Sequence, residues 1–127
     1  MLREAKTFLT KEIAIGKVEV QHCCVAKMPF QENTFDSVMH VNSYYFWPDI
    51  DQAVAELLRV TKNQGRIVST INIERLNEYT KKGVFSYSMY DPERYMSSLQ
   101  KHGFLDIELR DMKDRLSFLA VTATVSK

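Results

Sequence analysis

The chain has 127 residues, 45% of them hydrophobic and 26% charged, with a formal net charge of +1. That length suits one small domain, residues 1–127, and the composition is that of an ordinary soluble globular protein. Mixed acids and bases give no electrostatic case for nucleic acid or an anionic membrane as partner, and no apolar run is long enough to cross a bilayer.

Residues 1–6 carry charges and lack an apolar block before a small-residue cleavage site, so they do not read as a signal peptide. Residues 2–14 read as an amphipathic helix, with Leu2, Ala5, Leu9 and Ile13 on one side and Gly16 as its stop. Residues 17–24 alternate as a strand, and residues 25–33 form a loop broken by Pro29. A second strand spans residues 35–41; it is apolar at most positions, so burial on both faces in a parallel sheet is expected. An aromatic connection, residues 42–48, leads to a helix capped by Asp49 or Asp51, with Ile50, Ala53, Val54, Leu57 and Leu58 as its stripe. Gly65 ends that unit, and residues 66–71 form a third strand. Residues 72–90 read as irregular. Asp91-Pro92 starts a helix with Tyr95, Met96 and Leu99 on its inner face, closed by Gly103. Residues 105–110 and 116–126 read as an antiparallel hairpin turning at Lys113-Asp114.

The only cysteines, Cys23 and Cys24, are adjacent and cannot form an ordinary disulfide. They read as buried strand residues in a reducing compartment, the cytoplasm. His22, His40 and His102 are not at ligand spacing, so no metal site is expected.

Three stretches together carry a family signal: Met28-Pro29-Phe30, then Phe35-Asp36, then Glu56-x-x-Arg59-Val60-x-Lys62-x-x-Gly65 ahead of a strand. With the terminal hairpin, they make the chain resemble a class I S-adenosylmethionine-dependent methyltransferase, of the methyltransferase type 11 kind. The resemblance implies an α/β, Rossmann-like sheet, mostly parallel, ending in an antiparallel hairpin. It implies S-adenosylmethionine as cofactor and a small-molecule methyl acceptor as substrate, with neither nucleic acid nor membrane as partner.

It also implies where the cofactor lies: across the carboxyl ends of the parallel strands. The family's Gly-rich turn after strand one and its acidic residue ending strand two have no counterpart here; Gly16, Gly65, Gly83 and Gly103 are isolated. The family's adenine-contacting positions fall on Cys24 and Val25. Cys24 departs from the pattern, since a thiol is a poor acceptor; it is either an adenine contact or a strand end. Val41 and Asn42 fall where the backbone passes under the sulfonium. Ser43, Tyr44 and Trp47 face the substrate pocket by the same analogy, and Asn42 either lines that pocket or caps a turn.

Methyl transfer needs proximity and orientation and only sometimes a base. Candidate bases are His40, Tyr44 and Tyr45; His40, inside a strand pattern, equally reads as a hydrogen-bonded core histidine. Glu56 and Arg59 read as structural. The resemblance further implies that a central βαβ unit of roughly 50 residues is not in this sequence, which would leave unpaired strand edges. The chain would then be marginal alone, or completed by a dimer or swapped partner. A non-catalytic fragment that acts through protein binding is the alternative function.

Overall fold

A computed structural model describes residues 2–113, 115 and 117–127. Its elements are α1 (Leu2–Phe8), α2 (Thr10–Ala14), β1 (Phe35–Val41), a 3-10 turn (Tyr44–Phe46), α3 (Ile50–Val60), β2 (Thr61–Ile71), α4 (Ile73–Lys81), α5 (Tyr87–Tyr90), α6 (Pro92–Lys101), β3 (Leu105–Lys113) and β4 (Ser117–Thr124). Among the described residues the sheet has four strands in the order β1-β2-β4-β3. β1 and β2 are parallel, and β4 is antiparallel to both β2 and β3. The last strand thus inserts between β2 and β3. This is an α/β Rossmann-like arrangement with the expected terminal hairpin; Asp114 of its turn and Leu116 at the expected start of its second strand lie outside the described residues.

Local chemistry accounts for the helices that brace this sheet. In α3, Asp49 accepts a hydrogen bond from the Gln52 amide at 3.1 Å, and Ala53, Val54, Leu57 and Val60 are buried. In α6, Asp91 caps the Glu93 amide at 3.0 Å, Pro92 fills the first turn, and Tyr95 and Leu99 face inward. Asp51 joins the two helices through Ser98 Oγ at 2.7 Å and Lys101 Nζ at 2.9 Å. The core gathers Tyr44, Val54, Ile67, Tyr90, Tyr95, Leu99 and Val121.

The N-terminal part differs from expectation. Residues 17–24 form no strand; their only ladder contact is a bridge between Cys24 and Lys27. A strand is made by its neighbour, and none is at hand, so the alternating pattern stays unpaired. Cys23 and Cys24 are consequently exposed rather than buried. The helix expected over residues 2–14 is split at Leu9 into α1 and α2, and neither buries a residue. β1 is an edge strand whose Val38 and His40 are partly buried while Met39 and Val41 are 72% and 55% exposed. Burial on both of its faces is therefore not observed: among the described residues nothing covers the second face.

The junction after α3 also differs. β2 begins directly at Thr61, and Gly65 lies inside it rather than ending the helical unit. Pairing slips here, from Phe35 opposite Thr61 to Ser37 opposite Arg66. The left-handed residue of the bulge is Gln64, at φ 68°. Gly65 is needed for space: a Cβ there would sit 2.6 Å from the Asp36 carbonyl oxygen. A left-handed conformation costs a non-glycine residue about 1–2 kcal/mol. Glycine's greater unfolded-state freedom gives back about 0.5–1 kcal/mol. Gln64→Gly should therefore stabilise the protein by roughly 0.5–1 kcal/mol; chemical denaturation checks this, and a lower midpoint would contradict it.

Residues 72–90 are not irregular. Asn72 accepts from the Arg75 amide at 3.0 Å and starts α4, with Leu76 buried; α5 follows with Tyr90 buried.

Candidate functional site

β1 and β2 run parallel and end side by side, at Val41-Asn42 and Ile71-Asn72. In open α/β sheets this carboxyl end is where ligands bind. Asn42 turns the chain out of β1 at φ 49°, in the left-handed region that asparagine tolerates. Its amide donates to the Thr70 carbonyl at 2.8 Å, and its side-chain oxygen accepts from the Asn72 amide at 3.0 Å. Asn42 therefore pins the two strand ends together and holds the chain entering α4.

Two recesses meet at this pin. One, of about 370 Å³, is lined by Asn42, Tyr45, Phe46, Asn72, Arg75 and Phe85 among others. The other, of about 280 Å³, is lined by Val41, Asn42, Thr70, Asn72 and Phe118 among others. Asn42 and Asn72 are common to both. The 3-10 turn sets which aromatic rings reach the larger recess. Tyr45 and Phe46 turn toward it, with ring centres 4.5 Å apart, and Phe85 lies 5.9 Å from Tyr45. Burial raises the Tyr45 hydroxyl above the usual tyrosine range, against a smaller lowering by Arg75. It stays protonated near neutral pH, able to donate or accept a hydrogen bond.

Several expected site residues face elsewhere. Tyr44 is fully buried, stacks on Tyr95 at 5.0 Å and donates to the Tyr90 carbonyl at 2.5 Å. Burial raises its hydroxyl further still, with Asp91 acting in the same direction. It is neither a base nor a wall of the larger recess, because its position in the turn aims it into the core. His40 is likewise a core residue. Its Nδ1 meets Ser43 Oγ at 2.9 Å and Ser69 Oγ at 3.3 Å, and its Nε2 meets Tyr95 OH at 2.8 Å. Burial lowers it to about 4, which leaves a weakly basic ring with both nitrogens occupied. The candidate base role is thus replaced by a packing role. Trp47 sits over His40 at 4.9 Å and packs on the core, and Ser43 is turned to His40 rather than to a recess.

Cys24 is exposed and Val25 partly buried, in a tight turn closed by a hydrogen bond from the Lys27 amide to the Cys24 carbonyl at 3.1 Å. That loop is tied to α3. Gln52 reaches the Ala26 carbonyl at 3.3 Å, and Glu56 accepts the Met28 amide at 2.8 Å. Arg59 donates to the Phe30 carbonyl at 2.7 Å, to the Met28 carbonyl at 3.1 Å and to both Glu56 oxygens. The Glu56-x-x-Arg59 pair is therefore a clamp on the Met28-Pro29-Phe30 turn, and the structural reading of both residues holds. Arg59 hydrogen bonding, opposed by partial burial, takes Glu56 down to about 2.

Arg75 and Asn72 were not singled out from the sequence. The available signal was Asn72 ahead of Ile73, Leu76 and Thr80, a capped helix start that would have placed Arg75 in its first turn. Among the described residues no three His, Cys, Asp or Glu side chains gather as a metal set, and no helix is long and apolar enough to cross a membrane.

Set beside known proteins, the chain has no significant match among curated sequences. Solved structures do match. A SAM-dependent methyltransferase from Aquifex aeolicus aligns with a TM-score of 0.71 and 20% identity, over 98% of this chain and 63% of that chain. A SAM-dependent methyltransferase from Thermotoga maritima aligns with a TM-score of 0.67 and 20% identity, over 89% of this chain and 67% of that one. The complex between the Haloferax volcanii Trm112 methyltransferase activator and a methyltransferase aligns with a TM-score of 0.77 and 12% identity, over 100% and 68%. The chain thus spans about two thirds of the length of these proteins. At such identities the likeness is one of fold. A family model described as a methyltransferase domain matches residues 1–69, more than half of the chain. With the strand order, the terminal hairpin and the clamped turn, that match establishes that the chain belongs to the class I methyltransferase domain family.

Proposed function

We propose that the chain serves, as one domain, in an S-adenosylmethionine-dependent methyltransferase acting on a small molecule. The observation that carries this reading is the pair of recesses meeting at Asn42, at the carboxyl ends of the two parallel strands. The residues present fit the sulfonium end of the cofactor. Val41 is exposed, Asn42 turns the backbone outward, and aromatic rings stand close by, a setting that favours a cation. Val41 and Asn42 would hold that end, with the Cys24-Val25 turn as the candidate for adenine.

When bound, the cofactor supplies a methyl group already activated by its sulfonium. The chain's own residues then orient and enclose. Asn42 and Asn72 line both recesses, and the Tyr45, Phe46 and Phe85 rings give the larger one an apolar wall. Tyr45 remains the one tyrosine of the expected set able to exchange a hydrogen bond with an acceptor. Incubation with methyl-labelled S-adenosylmethionine and a small-molecule fraction should place label in a low-mass product. Label in protein or nucleic acid instead would contradict the small-molecule assignment. Asn42→Ala should weaken S-adenosylhomocysteine binding at least tenfold; unchanged affinity would remove Asn42 from the site.

A second reading, action through a protein partner, is favoured by the open edge of β1. If the backbone alternates as in a regular strand, Asn42 donating to β2 turns Ser37, Met39 and Val41 to the free side. Such an edge can pair with another strand, including one from a second copy of the chain. Light scattering separates the two: a dimer at micromolar concentration supports edge pairing, and a monomer that still binds cofactor argues against it. Two free, exposed cysteines suit a reducing compartment, so the cytoplasm is the proposed location.

A further inference from the structure

The larger recess has walls of one chemistry and polar groups of another. Its apolar side is built from four rings: Tyr45, Phe46, Phe85 and Tyr79, the last 5.8 Å from Phe85. Its polar side consists of Asn42, Asn72 and Arg75. The two amide oxygens are already spoken for. Asn42 Oδ1 accepts from the Asn72 amide, and Asn72 Oδ1 accepts from the Arg75 amide, both at 3.0 Å. A backbone N–H facing each oxygen fixes the orientation of each amide. Among the described residues neither NH2 group has a partner, so both are free to donate to a ligand.

Arg75 adds further donors and a full positive charge. Among the described residues its guanidinium has no hydrogen bond and no carboxylate within ion-pair distance. That includes Glu74 and Glu78, its acidic neighbours along α4. The charge nonetheless acts within the recess, since it is felt at the Tyr45 hydroxyl. A recess with aromatic walls and a polar side that carries two amide NH2 groups and a guanidinium is complementary to a ligand with an apolar body and an acceptor-rich, negative end.

We propose that this recess takes a methyl acceptor with a planar or apolar body and an anionic oxygen group, a carboxylate or a phosphate, and that Arg75 is the specificity-determining residue for that group. The term methyl acceptor rests on the function proposed above; the ligand chemistry rests on the recess alone. The probes are benzoate, phenyl phosphate and the neutral isostere benzamide, titrated into the whole chain and followed by NMR at the Asn42 and Asn72 side-chain amides. Benzoate or phenyl phosphate should shift both amides saturably, the tighter of the two naming the preferred group. Benzamide should bind at least tenfold more weakly. Arg75→Gln should weaken the anion at least tenfold while leaving benzamide binding and the melting temperature unchanged, and Arg75→Lys should restore part of the loss.

Equal binding of benzamide, no binding of any probe, or an Arg75→Gln variant that keeps its anion affinity would overturn the proposal. A parallel titration with S-adenosylhomocysteine keeps the two ideas apart. Cofactor binding without anion preference overturns the inference and leaves the methyltransferase function standing. Anion preference without cofactor binding supports the inference and counts against that function.

Discussion

Unfolding free energy should fall by about 3 kcal/mol as pH drops from 7 toward 4, and His40 should account for most of that loss. Burial lowers this histidine from 6.5 to about 4 in the folded state. The groups that meet its ring are the Ser43, Ser69 and Tyr95 hydroxyls and the Trp47 and Tyr95 rings. None carries a charge that would support an imidazolium; burial raises Tyr95, so its phenol stays neutral. For a group depressed on folding, the stability it contributes is present above the unfolded value and is lost as pH falls toward the folded one. The window is therefore pH 6.5 to 4, and a difference of this size is worth about 3 kcal/mol. Denaturant titrations across that range in the wild type and in His40→Gln check it. The variant should lose the slope in this window. A wild type equally stable at pH 7 and pH 4.5, or a variant with the same slope, would contradict the core assignment of His40 and reopen its candidacy as a base.

Glu56→Ala should destabilise the protein by about 2 kcal/mol at neutral pH, the scale of a charged hydrogen bond lost inside a network. The Glu56 side chain is 15% exposed and accepts from both Arg59 and the Met28 amide. Its removal leaves that amide and the guanidinium short of an acceptor. The turn it clamps also delivers Phe30 to an edge-on contact with Phe35 at 4.9 Å, at the start of β1. The loss should therefore show at the β1 end of the sheet as well, as faster amide exchange from Phe35 to Val38. The sign with pH follows from the lowered carboxyl. The clamp's contribution is complete above about pH 4.5 and fades as pH falls toward 2. This window lies below that of His40, so the two contributions separate in one titration. A Glu56→Ala variant as stable as the wild type would mean that the co-occurrence of the two motifs has some other cause.

The elements that could be read from the chain are those whose cause is local. α3 and α6 follow from a capping aspartate and an apolar stripe, and the hairpin from two alternating runs a few residues apart. The Met28-Pro29-Phe30 and Glu56-x-x-Arg59 motifs are informative together because they are hydrogen-bonded to one another. The misreadings have non-local causes. Residues 17–24 alternate like a strand, but pairing needs a partner that the pattern does not mention. Neighbouring tyrosines look equivalent in sequence, yet the 3-10 turn aims Tyr44 into the core and Tyr45 toward the recess. Arg75 drew no reading, because nothing in its neighbours says that Asn42, thirty-three positions earlier, shares its recess.

The central claim is that the carboxyl end of β1, at Val41-Asn42, takes the cofactor of a methyltransferase. Thermal unfolding of the 127-residue chain with and without S-adenosylhomocysteine tests it most directly. Ligand that binds only the folded state stabilises it by mass action, by about 2.7 kcal/mol at a hundred times the dissociation constant. The predicted result is one cooperative transition that moves to higher temperature as ligand is added, with a smaller movement in Asn42→Ala. A cooperative transition that stays in place at millimolar ligand would contradict the claim.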